Sequence, residues 1–293
     1  MTAPLKTVPP TTVPLIGPTP APELHIMTLN VRRRMEGRLV RKADRWSIRR
    51  PRLAALLQQE RPTVLGTQEA LPDQASAIRD ALGPTYRFVG HGRQAGARGE
   101  GCPLFYDTER LTLLDARQVA LSDRPDAPGS TSWGAVIPRV AVYATFRDRV
   151  TGAELLVVNT HLDVFSARAR VRAAETIRRE IAAQARPAVV LGDLNAAPHT
   201  PPWDALTAET TLVDAWTTAA ARLSPEWATY GGYRAPRPGR RIDAILVSPA
   251  LSVPRIVINS RCFAGGWPSD HLPVQAVLRV PVADADAGAR DHG

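Results

Sequence analysis

The chain has 293 residues, 44% hydrophobic and 22% charged, which excludes a wholly disordered, collagen-like or coiled-coil protein and leaves one or two globular domains. Its formal net charge of +9 invites an anionic partner, yet all but Lys6 and Lys42 of its 37 basic residues are arginine, and compositional bias would give the same excess on a merely solvated surface. No run of about 18 apolar residues suggests a membrane span, no secretory signal is visible, and two cysteines without CxxC spacing fit a reducing, cytoplasmic setting.

Taken in chain order, residues 1–22 hold seven prolines interleaved with Thr and predict a disordered tail. The apolar stretch Leu24 to Val31 predicts a strand, with Asn30 at its end. Ten basic residues then fall between Arg32 and Arg52, beside that strand exit. Facing a cleft they would draw phosphate-rich substrates; facing outward they are a solvated loop and helix, and the first arrangement is the one expected. Ser47 to Glu60 predicts a helix with Ile48, Leu53, Leu56 and Leu57 on one face. Further strands are expected at Thr63 to Gln68, Tyr86 to Val89, Pro103 to Tyr106, Val136 to Phe146, Glu154 to Thr160, Ala188 to Leu191, Ala244 to Val247 and Leu272 to Val280, with helices at Pro72 to Leu82 and Ala167 to Ala185. A single domain over 23–281 and a flexible tail over 282–293 complete the expected organisation, as a monomer with no protein partner evident.

Specific polar groups fall where these runs begin or end. Asn30, Glu69, His161, Asp193 and Asn195 follow apolar runs, whereas Arg241, Asp243 and the pair Asp270-His271 precede them. One Asp after a strand is usually a turn residue or a cap. Many strand ends polar at once are better explained by side chains converging on a shared rim.

These blocks resemble the endonuclease/exonuclease/phosphatase superfamily, whose fold is called deoxyribonuclease I-like: LN at 29–30, GTQEA at 66–70, NTHLD at 159–163, GDLNAAP at 192–198, RRIDAILVS at 240–248 and SDHLPV at 269–274, in that order. The likeness covers about Leu24 to Val280, and Trp46 with Arg49, GEGCPLFY at 99–106 and RARVRAAETI at 168–177 look most like a bacterial branch. It implies an α/β (α+β) fold: a four-layer sandwich of two β-sheets flanked by helices, with the site at one end of the sheets. It also implies a divalent metal, Mg2+ or Mn2+. The oxygen donors of Asn30, Glu69, Asp193, Asn195 and Asp270 suit such a hard cation, and the cysteines are not arranged as zinc ligands.

From the resemblance, Glu69, Asn30 and Asp270 are expected to hold the metal and Asp193 to orient or deprotonate the attacking water, with Asn195 beside it. His271 would contact the phosphate and be oriented by Asp243, while His161 would lie opposite with Glu100 as its partner, each carboxylate favouring an imidazolium. Arg139, Thr229, Tyr230 and Arg241 are expected as supporting or substrate-binding residues. Trp133, Trp203 and Trp216 read as packing residues, and Cys102 as a small buried hydrophobe. The function implied is metal-dependent phosphoester hydrolysis, nuclease-like on phosphodiesters with nucleic acid among the partners. A small-molecule or lipid-headgroup phosphatase is the alternative, and a noncatalytic polyanion-binding module stands behind both.

Overall fold

The central strands are apolar on both faces, and the fold covers both. A computed structural model describes residues 13–184 and 186–281. In chain order its elements are β1 (Glu23–Asn30), α1 (Trp46–Glu60), β2 (Val64–Gln68), α2 (Pro72–Leu82), β3 (Tyr86–Val89), β4 (Gly92–Gln94), β5 (Arg98–Gly101), β6 (Leu104–Asp107), β7 (Leu111–Ala120), β8 (Val140–Asp148), β9 (Glu154–His161), α3 (Ala167–Ala182), β10 (Ala188–Asp193), α4 (Pro201–Thr207), β11 (Val213–Asp214), α5 (Ala215–Thr218), β12 (Ala221–Arg222), β13 (Asp243–Val247), β14 (Ser252–Ile258) and β15 (Val274–Arg279), with short 3-10 turns between some of them. One sheet runs β12-β14-β15-β1-β2-β6-β3, a second β11-β13-β10-β9-β8-β7, and β4-β5 form a small ribbon.

Alternate residues of each strand serve different layers. In β1, Leu24 and Ile26 face the other sheet, where they share a core with Val157, Leu191 and Ile245, while Met27 and Leu29 pack under Leu53 and Leu56 of α1. In β10, Val189 and Leu191 point inward, while Ala188 and Val190 pack under Ile177 and Ile181 of α3. The layers are therefore helix, sheet, sheet, helix, the mixed architecture anticipated from the sequence. No helix among the described residues is long and apolar enough to cross a membrane.

Strand direction explains why the polar residues converge. β1 runs parallel to β2, and β9 parallel to β10, so Asn30, Glu69, His161 and Asp193 emerge at one end. β13 and β15 run antiparallel to β10 and β1, so they begin at that end, and Asp193 lies directly opposite Asp243. Glycine permits the close approach. A Cβ on Gly66 would lie 1.9 Å from Leu191 of the facing sheet, and one on Gly192 only 2.0 Å from the Thr160 carbonyl.

Several expectations need correction. Residues 13–22 do not hang free: Glu60, fully buried at the end of α1, accepts N–H bonds from Leu15 (2.9 Å), Ile16 (3.1 Å) and Gly17 (3.1 Å). Next to it, the Gly17 carbonyl is bonded to Nδ1 of His25, a ring whose pKa burial drives down to about 3. Residues 1–12 and 282–293, expected as tails, lie outside the described residues. Glu60→Ala would strand those N–H groups, and urea denaturation should then show a loss of about 2 kcal/mol or more. An unchanged midpoint would mean that residues 13–17 add nothing to the folded domain. The strand expected from Val136 begins at Val140, and β7, β14 and α4 were not anticipated. β7 is an edge strand with a bulge between Leu113 and Asp115, β14 carries Pro254 at an irregular register, and α4 opens on two prolines; each weakens the periodic signal.

Candidate active site

Beneath the site, buried amides tie the two sheets together. Gln68 Nε2 donates to Asn159 Oδ1 (2.7 Å), and Asn159 Nδ2 donates to the carbonyls of Thr67 and Cys102 (2.9 Å each). On this floor Glu69 adopts a left-handed backbone (φ 61°), as does Asn195 (φ 47°), local strain that aims both side chains into the shared rim. Glu69 Oε1 accepts from Asn30 Nδ2 (3.1 Å) and Oε2 from the Arg33 N–H (3.0 Å). Burial opposes its charge, but the bonds from Arg33 and Asn30 and the nearby His271 and Arg32 cations hold its pKa below the ordinary carboxylate value.

Asn30 also donates to Asp193 Oδ2 (3.0 Å), which links the two halves of the site. Asp193 Oδ1 accepts from the Asn195 N–H (3.0 Å). Burial and the facing Asp243 carboxylate push Asp193 up to about 7, against the pull of His271, Asn30 and Asn195. His271 Nδ1 lies 2.8 Å from Asp243 Oδ2, and its Nε2 is 3.8 Å from Asp193. For His271 burial favours the neutral ring, but Asp243, Asp193 and Asp270 outweigh it and raise the imidazolium to about 10. Thr229 Oγ1 accepts from the N–H groups of Ile242 and Asp243 (3.0 Å each), which fixes the start of β13. Tyr230, half exposed, sets its ring edge-on to His271 at a centroid distance of 5.2 Å.

His161 departs from expectation. Its Nε2 accepts a bond from Asn195 Nδ2 (3.1 Å), which places the ring proton on Nδ1. Burial, then the Arg139, Arg93 and His271 cations, hold it well below the ordinary histidine value, so it is neutral rather than imidazolium. Glu100 is not its partner: it pairs with Arg93 (2.6 Å) and Arg33 (3.7 Å). Arg139 is buried, 3.6 Å from the equally buried Asp163, and serves as a fixed charge. Arg241 leaves the site altogether, paired with Asp214 (2.5 Å) and Glu226 (3.1 Å) and lying over the Trp203 and Trp216 rings.

The arginines after β1 are also redirected. Arg49, fully buried, donates to the carbonyls of Val31 (2.7 Å), Arg32 (3.1 Å), Arg33 (2.9 Å) and Asp44 (3.0 Å), pinning the loop that delivers the Arg33 N–H to Glu69. Arg34 pairs with Asp73, Arg45 bonds the Val40 and Arg38 carbonyls, and Arg52 bonds that of Gly265. Only Arg32 enters the site, 3.9 Å from Glu69, 3.8 Å from Asp270 and 3.3 Å from Asp44. The cluster expected to face a cleft and gather phosphates is thus partly committed elsewhere, because the guanidiniums of Arg34, Arg45, Arg49 and Arg52 bond partners outside the site. Arg32, Arg49, Arg93 and Asp163 stand outside the expected site residues; of these, Asp163, inside NTHLD, and Arg49, paired with Trp46, carried a motif signal.

Glu69 and Asp270 form a hard-oxygen corner that already gathers a cationic side chain, Arg32, which is the donor chemistry Mg2+ or Mn2+ requires, whereas Asn30, expected as a third ligand, turns its NH2 to Glu69 and its oxygen to the Arg32 N–H. Asp193, Asp243 and His271 also offer ligand atoms within 4.8 Å of one another. There, however, His271 Nδ1 is committed to Asp243, so that triplet is a hydrogen-bonded charge cluster rather than a coordination shell. At the rim lies a cleft of about 720 Å³ that reaches Asn195 and Tyr230.

Known proteins share this fold. The chain is similar to an endonuclease/exonuclease/phosphatase protein from Bacteroides vulgatus (30% identity, TM-score 0.82, covering 88% of this chain and 99% of that one). It is likewise similar to a mannosyl-6-phosphatase from Bacteroides thetaiotaomicron (29%, TM-score 0.80, 87% and 99%). Among curated proteins it matches Protein angel of Drosophila melanogaster, 26% identical over 266 residues, 80% of this chain and 72% of that protein. With residues 27–271 matched by the family model, the chain belongs to the Endonuclease/Exonuclease/phosphatase family.

Proposed function

We propose that the protein is a divalent-metal-dependent hydrolase of small phosphoesters. The observation that carries this reading is the convergence of two differently tuned groups, a carboxylate at Asp193 raised toward neutrality and an imidazolium at His271 locked by Asp243, beside the carboxylates Glu69 and Asp270 and the Asn30 amide that bonds Asp193. Asp193 accepts the proton of the attacking water, and Asn195 and Asn30 hold its carboxylate in place. His271 Nε2 stabilises charge on the phosphate oxygens, and Tyr230 limits the ring's movement. Neutral His161, bonded to Asn195, positions that amide rather than supplying charge. Glu69 and Asp270 would hold a divalent cation, with Asn30 orienting Glu69, and such a cation would supply Lewis-acid charge neutralisation.

Small substrates are preferred to nucleic acid for two reasons: Arg34, Arg45, Arg49 and Arg52 are committed to partners outside the site, and one similar protein is a sugar phosphatase. The test is a panel with Mg2+ comparing 4-nitrophenyl phosphate, mannose 6-phosphate, bis(4-nitrophenyl) phosphate, RNA and single-stranded DNA. Turnover of the small esters well above that of the polymers is expected. Faster polymer cleavage would return the assignment to a nuclease, and no turnover of any member would remove the enzyme reading.

A further inference from the structure

The cleft that begins at Asn195 and Tyr230 is lined further out by Arg170, Arg237 and Arg240, with no carboxylate on its walls. Unlike Arg32, Arg33, Arg34, Arg45, Arg49 and Arg52, Arg237 and Arg240 make no side-chain hydrogen bond or ion pair among the described residues, and both are exposed. Their backbone is nonetheless held. The Ala228 N–H donates to the Arg237 carbonyl (2.9 Å), that of Thr229 to the Arg240 carbonyl (3.3 Å), and Trp227 bridges to Pro238. Pro236 and Pro238 restrict the chain on either side of Arg237. The next residue of the pinned segment, Tyr230, bridges to His271, so the loop that presents the arginines is tied to the catalytic imidazole. From the opposite wall Arg170 is rooted by Nη1 bonds to the carbonyls of Asp163 (2.8 Å) and Val164 (3.1 Å), while its buried Nε has no partner.

Three guanidiniums without a local carboxylate, on segments fixed to the catalytic residues, match the forked, charge-assisted recognition of a phosphate. We propose that this cleft is a second anion subsite, which binds a phosphate displaced from the scissile one on the same substrate. This inference rests on the phosphoesterase reading and narrows its substrate class to compounds carrying two phosphates. The second phosphate belongs either to a small bisphosphate or to the neighbouring nucleotide of a short oligonucleotide, and the two sources are separable.

Isothermal titration calorimetry of the full chain with Mg2+ would compare fructose 1,6-bisphosphate with fructose 6-phosphate, and 5′-phosphorylated trithymidylate with thymidine 5′-monophosphate. The member of at least one pair that carries the additional phosphate should bind about tenfold or more tightly than its monophosphate partner, as expected for a charge-assisted contact, and the pair that shows it identifies the source. In Arg237→Gln/Arg240→Gln that ratio should collapse toward one, and Arg170→Gln alone should lower it. A ratio near one in the parent protein, or one unchanged in both variants, would overturn the subsite. Turnover of the substrate panel by the parent, followed in parallel, separates the outcomes: its absence for every member defeats the enzyme reading, whereas its presence without a binding ratio defeats the subsite alone.

Discussion

Chelation of divalent cations will abolish phosphoester hydrolysis, Mg2+ or Mn2+ will restore it, and Glu69→Gln will cut turnover by at least about a hundredfold at a Mg2+ concentration that saturates the parent. Gln preserves the size of the side chain and can still accept one of the two bonds now received from Asn30 and Arg33, so the change removes charge more than shape. Charge is what the site requires there. Despite burial, Glu69 is held in its ionised form below the ordinary carboxylate range, while Asp270 is raised, chiefly by burial, so Glu69 is the firmer anionic donor of the corner. Arg32, within 4 Å of both carboxylates, already neutralises part of this charge, and it must yield or share the position when a cation binds. Rates measured against Mg2+ concentration decide the matter. Full turnover in chelator, or an unaltered Mg2+ dependence in the variant, would remove Glu69 from the metal's coordination.

The parts of the site that were legible in the sequence are those where local pattern and chemistry coincide. Asn30, Glu69, Asp193 and His271 flank apolar runs, and the parallel and antiparallel pairing of those runs delivers them to one edge. What escaped was set by tertiary partners. Arg49 occupies a buried helix position where periodicity anticipates an aliphatic face, and the carbonyls it satisfies belong to a loop 16 to 18 residues earlier. Glu60 looks like a polar helix terminus until the chain of residues 15–17 folds back over it. The charge of His161 departs from expectation because the carboxylate expected to face it, Glu100, is paired with Arg93 and Arg33, leaving the buried ring under the influence of nearby cations. A basic segment likewise counts as a phosphate attractor only once its internal acceptors are known. By that standard the arginines at 237 and 240, outside the densest basic run and lining the cleft, are better placed than Arg34, Arg45, Arg49 and Arg52.

Asp193→Asn and His271→Gln should each lower turnover of the best small ester by at least about a hundredfold, the lower scale for loss of proton transfer or of charge stabilisation. The two carboxylates that face each other across β10 and β13 explain the division of labour. Burial and Asp243 raise Asp193 to about 7, while Asp243, Asp193 and Asp270 together overcome burial to raise His271 to about 10. A base works only when deprotonated, so activity should climb as pH rises through about 7; a cationic stabiliser works only when protonated, so activity should decline as pH approaches about 10. The residual activity of His271→Gln should keep the climb and lose the decline. Asn at 193 can still accept one of the two hydrogen bonds made there, and Gln at 271 keeps an amide donor near Asp243, so circular dichroism and thermal melts should find both variants folded. Near-native turnover in either folded variant would sink its assigned role. A parent profile flat from pH 6 to 8 would take the base away from Asp193, since a group titrating at about 7 must alter the rate across that interval.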